Sequence, residues 1–305
     1  METMDLELGA FLPRWDDQAT PDGWRRVAQA AEHAGFSWVG RGDRIVFPAD
    51  QERSAAARRP ASELFSVLTA AACETSDIRI GTNVCVAPYR HPIHLIKQIF
   101  TLDQISDGRF EFGVGAGWFE GEFAALGVPY EERGHRTNEF LEIFDQARVA
   151  ETIAYEGTAY AFEPVGMYPR PKQQGGPPLW IGGSSSAAFR RTAMYGIGWT
   201  ISGRSPNELA AGRDRLIRAW EDYDRDGRPR IAANVNAYLT DDPVEDGGPM
   251  VGSVDRVLDG IGDYREAGAD RINLTLSTKP NGDKMTIDER VRQIERFADE
   301  IMSAL

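Results

Sequence analysis

Residues 108–123 read GRFEFGVGAGWFEGEF, and Gly113, Gly115 and Gly117 within them suggest a turn that holds a dinucleotide. That chemistry requires G-x-G-x-x-G after a strand, so that backbone can approach a pyrophosphate. Counting from Gly113 places Trp118 where the third glycine belongs, and counting from Gly115 places Glu120 there, so the fingerprint fails in both registers. What remains is a strand whose C-terminal end enters a glycine-rich turn with a large aromatic residue. Gly115, Ala116 and Gly117 would bring backbone close to a flat ligand and Trp118 would shield or stack on it; the alternative is a tight turn whose tryptophan covers a rim. A second stretch, Gly182-Gly183-Ser184-Ser185-Ser186, follows the apolar run PLWI and passes at once into helical spacing. Backbone N–H groups, hydroxyls and the positive end of a helix converge there on an anion, with Arg190 and Arg191 about one turn further on; a serine N-cap alone would explain one serine but not the whole run. The histidines are His33, His91, His94 and His135. His91 and His94 have i, i+3 spacing, but neither His-x-His on a strand nor ligands at later strand ends accompany them, so no metal is expected. A G-x-S-x-G nucleophile elbow and a G-x-x-x-x-G-K-[ST] phosphate loop are both absent from the sequence.

These groups need a scaffold, and the apolar patterning supplies one. Short apolar runs at 6–11, 36–40, 78–88, 109–115, 178–183, 197–202, 230–239 and 270–277 read as strands. Each is followed by a stretch of helical period, at 23–35, 62–76, 92–106, 135–150, 185–195, 206–223, 253–268 and 287–302, with Ser62 a candidate N-cap. Eight strand–helix pairs without a hairpin between successive strands fit a (β/α)8 TIM barrel better than an open doubly wound sheet. Residues 151–178, rich in Pro and Gly and without period, read as an irregular insertion between the fourth helix and the fifth strand. The whole chain, 1–305, is then one domain whose active site lies in the loops after the strands.

Composition excludes several partners. The formal charge is −13, so nucleic acid and anionic membrane, which need a basic face, are not expected. A small anionic ligand needs only a local cluster of arginines, and among the basic residues only Lys97, Lys172, Lys279 and Lys284 are lysine. No apolar run is long enough to span a membrane, and METMDLELGAFLPRW lacks a secretory pattern, so a cytoplasmic protein is expected. Cys73 and Cys85 show no CxxC spacing and read as structural thiols.

The segment SDGRFEFGVGAGWFEGEFAALGVPYEERGHRTNEFLE resembles the bacterial-luciferase-like superfamily, in particular its oxidoreductases that use the deazaflavin coenzyme F420. The likeness extends to AAEHAGFSWVGRGDRIVFP, IRIGTNVCVAPYRHPIHLIKQIFTLDQIS, PRPKQQGGPPLWIGGSSSAAFRRTA and REAGADRINLTLS, in the family's order. It implies a (β/α)8 barrel with F420 or FMN at its C-terminal mouth, a non-prolyl cis peptide at Asn83-Val84 supporting the ring, and the cofactor phosphate at Gly182, Gly183, Ser184 and Ser185. Arg133 and Arg136 would help neutralise the anionic tail. At the end of the second strand the family carries Asp-His near the position of hydride transfer, whereas this chain has Asp43-Arg44. A guanidinium stays charged, so Arg44 would stabilise negative charge but is a poor general acid. Hydride transfer between F420 and a small organic substrate is therefore the first expectation, with an FMN-dependent monooxygenase, fed by a reductase, as the alternative and a non-catalytic cofactor-binding protein as a third. Family habit implies a homodimer. The substrate would be set by the Gly42 to Pro60 loop and the insertion.

Overall fold

The computed structural model describes residues 6–14, 18–46, 62–244 and 247–305. β1 (Glu7–Phe11) leads to α1 (Pro21–His33), where the Thr20 hydroxyl accepts from Gly23 N–H and Pro21 occupies the first turn, as a helix start favours. β2 (Trp38–Arg41) precedes α2 (Leu64–Cys73), whose N-cap is the Glu63 carboxylate, accepting from Ser66 N–H, rather than Ser62. A carboxylate there gains from the helix dipole as well as from the hydrogen bond. The third barrel stave is broken into β3 (Arg79–Thr82) and β4 (Cys85–Val86) and is followed by α3 (Pro92–Ile105).

β5 (Phe110–Gly115) runs into a short helix not foreseen in the sequence, α4 (Glu120–Leu126), which Gly127 ends in the left-handed conformation. After α5 (Arg133–Val149), the insertion expected to be irregular contains an antiparallel hairpin, β6 (Thr152–Glu156) and β7 (Ala161–Gly166). Both strands are largely exposed, so no strong alternation of apolar residues marked them in the sequence. The chain continues through β8 (Leu179–Gly182), α6 (Ser186–Tyr195), β9 (Gly198–Ser202) and α7 (Pro206–Asp222). Next come β10 (Arg230–Asn236), a small pair β11 (Tyr238–Leu239) and β12 (Val251–Gly252), α8 (Val254–Glu266), β13 (Arg271–Thr275) and α9 (Ile287–Arg296).

The barrel strands pair in parallel in the order β3-β2-β1-β13-β10-β9-β8-β5-β4, and β3 also pairs with β5, which closes the ring. With β3 and β4 counted as one stave this is an eight-stranded parallel barrel, and closure excludes the open doubly wound sheet. Between the ring and its helices lies an apolar layer; Phe100, Phe112, Phe140 and Phe144 pack mutually there with centroids 5.5–6.3 Å apart, which seats α3 and α5 against β5. No helix among the described residues is long and apolar enough to cross a membrane. Cys85 is buried, whereas Cys73 is exposed on the last turn of α2.

Candidate active site

Parallel closure sends every strand's C-terminal end to one mouth, where side chains from distant parts of the sequence meet. A cavity of about 320 Å³ opens there. Phe11, Leu12 and Arg14 line it from β1 and its following loop, Asn83 from the broken stave, Ser202 and Asn234 from β9 and β10, Ser277 from beyond β13 and Arg290 from α9. Its floor is a hydrogen-bonded set of amides and hydroxyls. Asn83 Nδ2 donates to Asn234 Oδ1 at 2.9 Å and to Thr200 Oγ1 at 3.1 Å. Asn234 Nδ2 donates to Ser202 Oγ at 3.0 Å, and Asn273 Nδ2 donates to Asn234 Oδ1 at 2.8 Å. Pairing of this kind fixes the orientation of the Asn83 and Asn234 amides, whereas Asn273 Oδ1 is buried with no partner among the described residues.

The break in the third stave lies at this floor. Thr82 Oγ1 accepts from Gly113 N–H at 2.8 Å and donates to Gly113 O at 2.7 Å, locking the end of β3 to β5. The Asn83-Val84 peptide bond that follows is cis, as the resemblance implied. Val84 then turns towards β5 and β8, and a Cβ added at Gly115 or at Gly182 would lie 2.9 Å from a Val84 methyl. These two glycines therefore make room for Val84. The close approach their lack of a side chain permits is to the protein's own bulge.

Asp43 and Arg44, at the end of the second stave, do not pair with each other. The Asp43 carboxylate takes Arg90 Nη1 at 2.6 Å and Val86 N–H at 3.1 Å, so it ties the second stave to the third and lies outside the cavity lining. Arg44 forms an ion pair with Glu122 of α4, and its guanidinium lies 5.3 Å from the Trp118 ring centroid and 5.0 Å from that of Phe119. Glu122 also accepts from Tyr89 Oη at 2.8 Å and from Ile45 N–H at 2.5 Å. Trp118 is 72% exposed beside Arg44, and Ala116 and Gly117 are half-buried, Gly117 against Val86 and Phe123. Residues 47–60 of the loop expected to set the substrate lie outside the described residues.

The serine-rich turn takes the expected place between β8 and α6. Gly183 has φ 110°, Ser184 is exposed, and the Ser185 hydroxyl caps the helix by accepting from Ala188 N–H. Arg191 does not reach this turn: it donates to Asn138 Oδ1 and Gly134 O, both at 2.8 Å, and so clamps α6 to α5. Arg190 is exposed. The arginine beside the turn is Arg215 of α7, 3.3 Å from Ser186 Oγ. Arg136 pairs with Glu132 at 2.8 Å and lies over the Tyr160 ring of the insertion, while Arg133 lies over Tyr130. His91 caps α3, and His135 is paired with Glu139.

Sequence reasoning missed Arg14, Arg215 and Arg290, which are distant in sequence from any motif. Asn234 did carry a signal, being a polar residue enclosed by the apolar run IAANVNA. Arg14 sits close to Arg41 and Arg44, and burial, followed by repulsion from those two cations, holds its pKa down to about 9. Arg41 is 1% exposed and donates to Ser62 O at 3.0 Å.

The sequence profile of a family described as luciferase-like monooxygenase matches residues 8–246. An uncharacterised protein of Mycobacterium tuberculosis is 31% identical over 201 residues, covering 63% of this chain and 67% of that protein. An FMNH(2)-dependent dimethylsulfone monooxygenase of Pseudomonas putida is 28% identical over 197 residues, covering 63% of this chain and 52% of its own length. The solved structure of an F420-dependent secondary alcohol dehydrogenase, in complex with an F420-acetone adduct, superposes with a TM-score of 0.81 at 16% identity. That superposition covers 99% of this chain and 100% of the other, a likeness of fold.

Proposed function

We propose, from the premise that this chain belongs to the luciferase-like monooxygenase family, that it is an oxidoreductase which binds the deazaflavin F420 and passes a hydride between it and a small organic substrate. The observation that carries this reading is the pairing of two features at one mouth: a cavity floored by amides and hydroxyls beside the Asn83-Val84 bulge, and a helix start at Gly183 to Ser186 with Arg215 next to it. A flat heteroaromatic ring with an anionic tail asks for those two features and for no metal. The four matching sequence segments outside residues 106–142 support the same reading, and the F420-dependent dehydrogenase shares the fold.

Asn83, Val84, Gly115, Ala116, Gly117 and Trp118 would border the ring, and Gly182, Gly183, Ser184 and Ser185 the phosphate, with Arg136 further along the tail. When bound, F420 supplies two-electron hydride chemistry, because a carbon in place of the flavin's reactive nitrogen disfavours one-electron steps and oxygen activation. The chain's own part is positional and electrostatic. Asn83 presents an amide whose orientation Asn234 and Thr200 fix; Trp118 shields the rim; Arg44 keeps a positive charge beside it. Held by the Glu122 carboxylate, Arg44 offers hydrogen-bond donors and positive charge at the rim. Asp43 acts through Arg90 by holding the two staves in register.

The similarity to an FMNH(2)-dependent monooxygenase favours a second reading, in which reduced FMN from a partner reductase reacts with oxygen. Equilibrium titration of the purified chain with F420 and with FMN, followed by cofactor fluorescence, separates the two. We expect F420 to bind and FMN to bind at least tenfold more weakly; tight FMN binding without F420 affinity would replace the first reading by the second. A cytoplasmic homodimer fits both, and its mass is measurable by light scattering.

A further inference from the structure

What Asn83 offers a bound ring depends on which end of its amide is the oxygen, and this inference rests on the functional reading just given. Asn83 and Asn234 face each other as a closed amide pair: Asn83 Nδ2 donates to Asn234 Oδ1 at 2.9 Å, and Asn234 Nδ2 donates to Asn83 Oδ1 at 3.1 Å. Such a pair keeps both hydrogen bonds if its two amides turn over together, because each exchanges a donor for an acceptor. The flanking hydroxyls do not choose between the two arrangements. Thr200 Oγ1 stands 3.1 Å from Asn83 Nδ2 and 3.2 Å from Asn83 Oδ1, where it accepts from the one or donates to the other. Ser202 Oγ, 3.0 Å from Asn234 Nδ2, is equally able to rotate and donate. These neighbours hold the plane of the Asn83 amide and leave its polarity open.

Asn273 closes that choice. From β13, the strand beside β10 in the ring, its Nδ2 donates to Asn234 Oδ1 at 2.8 Å. If Asn234 turned over, two NH2 groups would face each other there. Asn273 is fully buried, so water does not take up the mismatch. Its own reversal is hindered on the far side. Asn273 Oδ1 occupies the place of the side chain that Gly9 lacks, 2.3 Å from a Cβ added there, and the Trp38 ring and backbone close the niche at 3.0 and 3.2 Å from the same point. An oxygen fits that niche, whereas an NH2 group would need room for its hydrogens. The same oxygen has no hydrogen-bond partner among the described residues. A buried acceptor without a donor is a cost that an apolar residue of similar size would avoid, which points to a task for the amide.

We propose that Asn273 is a positioning residue: its N–H sets the polarity of the pair formed by Asn234 and Asn83, and through it whether Asn83 shows the cofactor ring an N–H or a carbonyl oxygen. Asn273 does not line the cavity and acts through Asn234, which does. Polarity matters because a heteroaromatic ring carries fixed donors and acceptors, and an amide turned the wrong way sets like against like.

The test is Asn273→Asp, read by the pH dependence of cofactor affinity. A protonated carboxyl reproduces the asparagine, its O–H donating to Asn234 Oδ1 and its C=O lying against Gly9. An ionised carboxylate only accepts, and so turns Asn234 and Asn83 over. Burial raises such a carboxyl above its ordinary value of about 3.9, which moves the change towards neutral pH. We expect the variant, titrated with whichever of F420 and FMN binds the wild type, to approach wild-type affinity at about pH 5 and to fall at least about fivefold below it at about pH 8. Asn273→Leu, which removes the amide at similar volume, should show no such pH dependence relative to the wild type. It has a second readout that needs no cofactor. In chain labelled with 15N in its asparagine side chains, the wild type should give one set of NH2 signals each for Asn83 and Asn234, and Asn273→Leu two sets or exchange-broadened ones. A ratio of Asn273→Asp to wild-type affinity that stays constant with pH overturns the proposal, since a constant loss reports packing alone. A single, unshifted set of signals in Asn273→Leu overturns it as well, and decides alone if the carboxylate variant does not fold at neutral pH. If neither cofactor binds, the functional reading fails, while the amide signals still decide whether Asn273 sets the polarity.

Discussion

Arg44 stands where the family resemblance expects a histidine, and its neighbours decide what it can do there. Glu122 is almost fully buried and holds Arg44, the Tyr89 hydroxyl and the Ile45 N–H together, while Trp118 and Phe119 flank the guanidinium. One carboxylate thus compensates a cation, two hydrogen-bond donors and the entry to α4. Replacing it by Gln removes the negative charge of Glu122 from beside that partly desolvated cation, and losing one partner of a buried pair costs on the order of 3 kcal/mol. Urea unfolding of Glu122→Gln should show a loss of that size; a loss under about 0.5 kcal/mol, the range of ordinary surface substitutions, would mean that solvent screens the pair. The same variant has an optical readout. Burial, and after it the hydrogen bond and negative charge of Glu122, push the Tyr89 phenol above its ordinary range. With the charge removed, one tyrosine should ionise at lower pH than in the wild type when absorbance near the phenolate band is followed.

At the level of elements, legibility followed burial. Strands such as Phe110–Gly115, buried at every position, and helices with a capping residue, such as α7 behind Ser205 and Pro206, could be placed because packing and capping leave a pattern in the residue types. The hairpin of β6 and β7 and the short α4 could not, since the former is mostly exposed and the latter is held by tertiary contacts of Glu122 and Phe123. In the site, the serine-rich turn was visible because its residues are contiguous. Arg14, Arg215 and Arg290 were not, because only the closed ring of strands brings them to the mouth. The elements that carry these residues can themselves be tested. α9, which presents Arg290, begins in a capping box of Thr286 and Glu289. The hydrogen bond from Lys279, then the Thr286 N–H, hold the Glu289 carboxyl down to about 2, against an ordinary value of 4.5. A carboxyl depressed in the folded state stabilises the fold fully above pH 4.5, and that contribution is lost as pH falls towards 2. Glu289→Gln keeps a capping-box partner but loses the charge that Lys279 meets, so it should cost only a few tenths of a kcal/mol, roughly an exposed ion pair, at neutral pH and flatten the decline of stability between pH 4.5 and 2. An unchanged pH profile in chemical denaturation would show that the Lys279 contact is screened by solvent.

For the whole molecule, the two ends of the barrel divide the work. The closed end is tied by charges at the strand starts: Arg271 Nη1 lies 2.8 Å from Glu111, Arg79 lies 2.6 Å from Glu7 and 3.4 Å from Glu111, and Arg230 lies 3.0 Å from Glu7. Arg271 is also flanked by the rings of Trp38 and Trp180, at 5.1 and 4.6 Å from their centroids. These residues begin β1, β3, β10 and β13 or lie one step into β5, as far from the mouth as the strands allow. Burial lowers the Arg271 pKa and the Glu111 carboxylate opposes that shift, so the pair is needed to keep the arginine charged inside the ring. Removing the carboxylate with Glu111→Gln should cost about 3–5 kcal/mol, the range for an uncompensated buried charge. If the ends are independent, the variant, kept folded at reduced temperature, should bind cofactor as the wild type does, because nothing at the mouth has changed. The measurement is a denaturation midpoint paired with the cofactor binding isotherms. A stability loss with unchanged isotherms supports the division; a matching fall in affinity would show that the register set at the closed end is transmitted along the staves to Asn83 and Asn234, making the barrel one coupled body.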